Sequence, residues 1–259
     1  MESTAEAWCE TYVSTTELAW KLEPPPPPDA WDGRLPVRIA SPGRPPELRE
    51  IGRTPRLPKP TALREPIHRA RLFAIFHHHE LQAAELMCWA VLAFADTPVA
   101  FRRGLLKIAL DEIEHMSRYR THLELQGAHL GDFPVRDWFW DRVPSVADAA
   151  GFVATMGLGF EGGNLDHTAR FAGQLRRAGD LVGAAILDAV GAEEEVHVAF
   201  AGHWFRRFTG GLDFLSWQKH LAPPLSPTVM KGAVIDRAAR RRAGQPEPFL
   251  DALATFERY

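Results

Sequence analysis

Cysteine is nearly missing from this chain, with Cys9 and Cys88 the two copies in 259 residues, too few for a disulfide framework. That scarcity suits a reducing, cytoplasmic setting, and Cys88, inside an apolar stretch, is expected to be a small core residue. Charge of one sign is equally scarce. A net charge of −3 and a pI near 6.4 make no general electrostatic demand for nucleic acid or membrane. Unbroken apolar runs are missing too, since every long helical candidate is interrupted by Glu, His, Arg or Asp, so none is expected to span a bilayer. The opening MESTAEAWCE has acidic residues and no basic leader before an apolar block, which argues against a secretory signal. What is present, 46% hydrophobic residues against 24% charged, can bury one substantial core with an appended lobe.

Proline is plentiful but concentrated. Residues 1–22 can form an amphipathic helix carrying Trp8, Tyr12, Leu18 and Trp20, ended by Pro24 to Pro28. From there to Pro66 prolines recur so often that no long helix or central strand is possible. Trp31, Leu35, Val37 and Ile39 give this stretch more apolar surface than a solvated linker carries, so an arm docked on the body is expected.

Beyond Pro66 the pattern is helical. A first helix runs from Pro66 to about Ala95, a second from Pro98 to Gln126 with Gly127 closing it, and a long aromatic crossover, GAHLGDFPVRDWFWDRVP, follows. A third helix, with Ser145 as N-cap and Asp148 three residues on, continues to about Ala178 despite Gly157, Gly159, Gly162 and Gly163. Those glycines are expected to let a metal or substrate approach the backbone. A fourth helix spans Asp180 to Phe208; a further one runs from Ser226 to Gly244, and PEPFLDALATFERY forms a last short one. The expected fold is all-α, with residues 1–65 an N-terminal helix and arm, 66–210 a four-helix bundle of two hairpins joined by the crossover, and 211–259 a helical extension.

The chemistry sits in a spacing that occurs twice. Glu112 and His115, in DEIEH, lie one turn apart on one helix face, and so do Glu194 and His197, in EEEVH. Glu-x-x-His alone is weak because it arises by chance, and this chain has a third copy at Glu65 and His68. Each of the copies at Glu112 and Glu194 is preceded by a glutamate a helix length upstream, Glu80 before Glu112 and Glu161 before Glu194. With turns near Thr97 and Gly179, hairpin geometry sets Glu80 level with Glu112 and His115, and Glu161 level with Glu194 and His197. Four carboxylates and two imidazoles from four helices form the ligand set of dinuclear iron and manganese carboxylate bundles.

Neighbouring acids invite lesser roles. Asp111 and Glu193 precede the two motifs and can orient a ligand imidazole or stand as surface acids. Glu85 and Asp166 correspond under the same repeat and suit capping or outer support of the ligands, Glu85 being also an alternative ligand. Of His77, His78 and His79, at most one can face the site, because consecutive helical residues point in different directions. His122 and His203 are read as core or surface histidines, or as the lining of an access channel. The basic run RAARRR, Arg237 to Arg242, is read as a solvated helix face more readily than as an RNA patch.

The runs FHHHELQAAELMCWAVLAF, FRRGLLKIALDEIEHMSRYRTHLELQGAHLGDFPV, GFEGGNLDH and EEEVHVAFAGHWF resemble the bacterial ferritin-like family catalogued as domain of unknown function 455. The resemblance extends to PGRPP and to KGAVIDRAARRRAG. It implies a ferritin-like bundle with a di-iron type site at Glu80, Glu112, His115, Glu161, Glu194 and His197, and supplies no reaction. More distantly the arrangement is similar to ferritin-like tRNA hydroxylases, which extends the implication to O2-dependent hydroxylation.

The expected function is therefore that of a non-haem oxidase or monooxygenase with two iron ions, manganese or a mixed pair being possible, bridged by Glu112 and Glu194. Its expected partners are O2, an electron donor, and a small-molecule or modified-nucleoside substrate, in a pocket walled by Phe73, Phe76, Phe160 and the Trp138 to Trp140 segment. The competing expectations are a ferroxidase or iron-handling protein, and a helical scaffold or RNA-associated module with a structural metal.

Overall fold

The computed structural model describes residues 4–49 and 57–257; the part of the proline-rich stretch at 50–56 lies outside the described residues, as do 1–3 and 258–259. Among the described residues all regular structure is helical, as the patterning predicts. Packing divides the chain into two compact units, Met1–Pro144 and Ser145–Tyr259.

In the first unit the expected N-terminal helix is two: α1, Ala5–Ser14, and α2, Leu18–Leu22. The break falls at Thr15, a β-branched residue in extended conformation. α3, Pro66–Ala93, starts on a proline whose missing N–H costs nothing in a first turn. It turns at Thr97, which bonds back to the Phe94 carbonyl through both its amide (3.0 Å) and its hydroxyl (2.6 Å), into α4, Val99–Leu125. Gly127, at φ 78°, then leads the chain out of α4 in a conformation that favours glycine. The two helices pack on each other through a core that includes the fully buried Phe73, Trp89, Phe101 and Tyr119.

The arm docks, though not through Leu35 and Val37, which are 83% and 41% exposed; Leu48 is the arm residue buried against Leu81 and Met116. An extended, proline-rich segment also keeps its backbone groups available, and these make further contacts. The Val37 amide donates to the Leu92 carbonyl at 3.0 Å, and the indole N–H groups of Trp89 and Trp8 donate to the carbonyls of Ile39 and Pro25. The Arg102 guanidinium lies 4.9 Å over the Trp31 ring.

The second unit opens with α5, Ala149–Phe152, capped by Asp148 rather than Ser145: the Asp148 carboxylate accepts from the Gly151 amide at 2.8 Å. A π-helical stretch, Val153–Glu161, runs straight into α6, Gly162–Ala178. Gly179, at φ 88°, turns the chain into α7, Leu181–Thr209, whose N-cap is Asp180. α8, Phe214–Lys219, α9, Arg237–Arg242, and α10, Glu247–Thr255, follow. The single helix expected from Ser226 to Gly244 is reduced to a short turn, Pro227–Met230, and α9. Helix propagation fails there because the Gly232 and Asp236 amides are drawn to the Asp166 carboxylate, at 2.8 and 2.7 Å.

Within the π-helical stretch the glycines admit protein rather than ligand. A Cβ on Gly157 would stand 2.3 Å from the Ala201 Cβ of α7, and one on Gly159 would stand 2.8 Å from the Met230 sulfur. Gly157→Ala is accordingly expected to cost about 1–3 kcal/mol through overpacking, measured by urea unfolding. Unchanged stability would show that α7 yields freely at Ala201.

Candidate metal centre

In the first unit, α3 supplies Glu80 and α4 supplies Glu112 and His115, all buried. One ligand atom from each of the three lies within 4.8 Å of the others. His115 Nδ1 is 3.1 Å from Glu112 Oε2. In the second unit, Glu161 ends the π-helical stretch, and Glu194 and His197 lie on α7, again all buried. His197 Nδ1 is 3.1 Å from Glu194 Oε2, the same separation as in the first pair. The other Glu194 oxygen accepts from Asn164 Nδ2 at 2.9 Å.

A separation of about 3 Å is also the edge of a coordination octahedron whose ligand atoms stand about 2.1 Å from the ion. Carboxylate oxygen and imidazole nitrogen, without thiolate, suit iron, manganese or zinc and disfavour thiophilic ions. Buried carboxylates at this density need positive charge close by. The buried group of glutamates and a histidine can hold a metal ion, and the donor chemistry fits the expected one.

Of the neighbouring candidates, Glu85 and Asp166 are taken up by cations. Asp111 and Glu193 are half-buried. Both oxygens of Glu85 meet cations: Lys21 Nζ at 2.8 Å and Arg44 Nη2 at 2.5 Å. Burial pushes the Lys21 pKa down, with Glu85 opposing it. Asp166 receives the Arg240 guanidinium through two bonds, of 3.0 and 2.8 Å. Glu65 of the third Glu-x-x-His copy is exposed and only precedes the first turn of α3.

The three consecutive histidines point three ways. His77 is buried, His78 Nε2 meets Asp137 at 2.8 Å, and the His79 ring lies 4.9 Å from Phe139. His122 is buried with its ring 4.4 Å from Phe73, while His203 is exposed beside Trp204. Phe73, Phe76 and Tyr119 form one aromatic cluster between α3 and α4. Phe160 is buried in the π-helical stretch. Trp138 lines a cavity with Ile75, His78 and His79, on a face of α3 that the helical repeat turns away from Glu80. Cys9 and Cys88, from segments with no evident relation in sequence, are both buried with free thiols, and burial foremost pushes the Cys9 thiol pKa up.

Sequence reasoning passed over Asn164, Lys21, Arg44 and Arg240. Asn164 had a usable signal, standing one helical turn after Glu161. The three cations had none, because their acid partners lie far along the chain and no local periodicity links them.

The family model described as protein of unknown function (DUF455) matches residues 2–251. An uncharacterized protein of Haemophilus influenzae is 28% identical over 162 residues, which is 61% of this chain and 56% of that protein. The match thus covers little more than half the length of that relative. No solved structure matches.

Proposed function

The chain belongs to the DUF455 family of proteins of unknown function, and for this member we propose a dinuclear non-haem metal centre serving O2-dependent oxidation. Glu80, Glu112 and His115 from one hairpin and Glu161, Glu194 and His197 from the other would hold the two ions, in a ferritin-like four-helix arrangement. The observation that carries this reading is the buried convergence of Glu80, Glu112 and His115, repeated in spacing and burial by the second set. When bound, two iron or manganese ions supply the binding and reduction of O2.

The chain's own residues supply the rest. The carboxylates balance the charge of the ions, and Asn164 orients Glu194 by donating to its Oε1. Phe73, Phe76 and Tyr119, one to two turns along α3 and α4 from the ligands, keep water from that end of the hairpin. The substrate is a small molecule or modified nucleoside, and an external donor supplies electrons.

The basic run offers little to RNA. Arg237 pairs with Glu247 and Asp251, Arg240 with Asp166, Arg241 with Glu247, and Arg242 with Glu195.

Elemental analysis after anaerobic loading with Fe(II) or Mn(II) is expected to return two ions per chain. Glu112→Ala and His197→Ala are each expected to lose that stoichiometry while keeping the helical circular dichroism; full occupancy in either refutes the ligand set. Rapid mixing of the ferrous protein with O2 is expected to give an oxidation transient, whereas a structural metal gives none.

A further inference from the structure

The second unit carries a groove bounded by α6, α7 and α9, and what it offers is independent of the metal reading. Its volume is about 190 Å³. A dry cavity of about 150 Å³ takes a benzene ring, so a chain of several carbons has room here. Space opens because the facing positions are small: Ala169 on α6, Gly191 and Ala192 on α7, and Ala239 on α9. At Gly191 nothing larger fits, since a Cβ would stand 2.7 Å from the Thr168 hydroxyl oxygen. The buried Leu165 and Leu187 complete an apolar floor.

The walls are held in place before any ligand arrives. α9 is tied to α6 by the Arg240 guanidinium, which donates twice to Asp166, and by the Asp236 amide, which donates to Asp166 at 2.7 Å. It is tied to α7 by Arg242, whose Nε and Nη2 donate to the two oxygens of Glu195 at 2.8 and 2.5 Å. A site fixed this way loses little conformational entropy when it fills.

Charge along the groove has a definite sign. Among its lining residues the carboxylates of Asp188, Glu195 and Asp236 stand against the single guanidinium of Arg242, and that guanidinium is committed to Glu195. Asp188 meets Arg176 in a pair that is about half exposed, which solvent screens. Asp236 caps α9, accepting from the Ala239 amide at 3.0 Å, and makes no ion pair among the described residues. An anionic ligand would be repelled here, and a bare metal ion would leave the apolar floor unused. We propose that the groove binds a short aliphatic primary amine, its ammonium at Asp236 and its alkyl chain along Ala169, Leu187 and Ala192.

Calorimetric titration of the full chain at pH 7 with n-butylamine and n-hexylamine tests this against 1-butanol and 1-hexanol, which lack the charge, and against ammonium chloride, which lacks the chain. Saturable binding of at least one amine is expected, tighter by tenfold or more than its alcohol and than the ammonium ion. Asp236→Asn keeps an oxygen that can cap α9 and leaves the backbone amide that donates to Asp166, so the wall should persist; it is expected to abolish the preference for amine over alcohol. Ala169→Leu combined with Ala192→Leu, both at exposed positions, fills the groove and is expected to abolish binding altogether. No binding of either amine by the wild-type chain overturns the proposal, as does equal binding of amine and alcohol, equal binding of amine and ammonium ion, or binding indifferent to both variants. Circular dichroism of each variant separates lost binding from lost folding.

Discussion

Asp166→Ala is expected to destabilise the protein by about 3–5 kcal/mol even when no metal is present, because it strands a buried arginine. Arg240 is fully buried, and its bonds to Asp166 are backed by the Gln245 side chain at 3.1 Å and the Met230 carbonyl at 3.3 Å. Without Asp166 the guanidinium keeps two neutral acceptors and no counter-ion. The Gly232 and Asp236 amides lose their acceptor at the same time. Replacing both partners, as Asp166→Leu with Arg240→Met, is expected to restore most of the loss, since a buried pair is costly mainly when half of it is removed. Urea unfolding of the chelated protein, run as a double-mutant cycle, measures the coupling directly. If Asp166 acted through a metal ligand, the single variant would lose metal affinity and keep its metal-free stability, and that outcome would refute the present assignment.

The same chemistry recurs at Glu85, which occupies the equivalent position in the first hairpin. Glu85 stands five residues after Glu80, and Asp166 five after Glu161. Each takes a buried arginine supplied by a flanking extension, Arg44 from the N-terminal arm and Arg240 from the C-terminal segment. The internal repeat was readable in the sequence and did pick out both acids. Their partners were not readable, because Arg44 and Arg240 lie 41 and 74 residues away and nothing in local patterning marks an arginine as buried. The two extensions are therefore fastened by ionic contacts that composition alone reads as surface charge.

Helix ends were legible where a single residue dictates backbone geometry, as at Pro66, Gly127 and Gly179. Legibility failed where tertiary contacts overrule local preference. The stretch 153–161 has the composition of an ordinary apolar helix, yet it winds with i→i+5 bonds, so a 3.6-residue repeat does not carry through it to Glu161. Lys231 to Asp236 looks helical until Asp166 claims two of its backbone amides. The ligand candidates were legible because a metal demands donors at fixed helical spacing, a constraint written in one dimension. The convergence of Glu80, Glu112 and His115 follows from that spacing and from the position of the turn at Thr97.

Acid should unfold the protein well before its carboxylates are exhausted, and His77 gives the reason. The imidazole is fully buried on α3 and its Nε2 has no hydrogen-bond partner. Burial is the main cause that pushes its pKa from 6.5 down to about 3, with His78 and Arg120 adding repulsion. Between those two values the unfolded chain binds a proton that the folded chain refuses, so acid favours unfolding. The contribution of His77 is complete above pH 6.5, falls by about 1.4 kcal/mol per pH unit below it, and amounts to about 5 kcal/mol by pH 3. His167, lowered chiefly by burial as well, acts in the same direction. His77→Gln, uncharged at every pH, is expected to be less stable than wild type at pH 8, because it puts a flexible amide with more polar groups to satisfy where the buried ring stood. Its stability should nonetheless decline less steeply between pH 6.5 and 4. Urea midpoints at half-unit intervals, taken on chelated protein so that metal release does not contribute, give both slopes. Parallel slopes for the two proteins would mean that His77 accepts its proton without unfolding the helix that carries Glu80, and the acid limb would then have to be assigned to other buried groups.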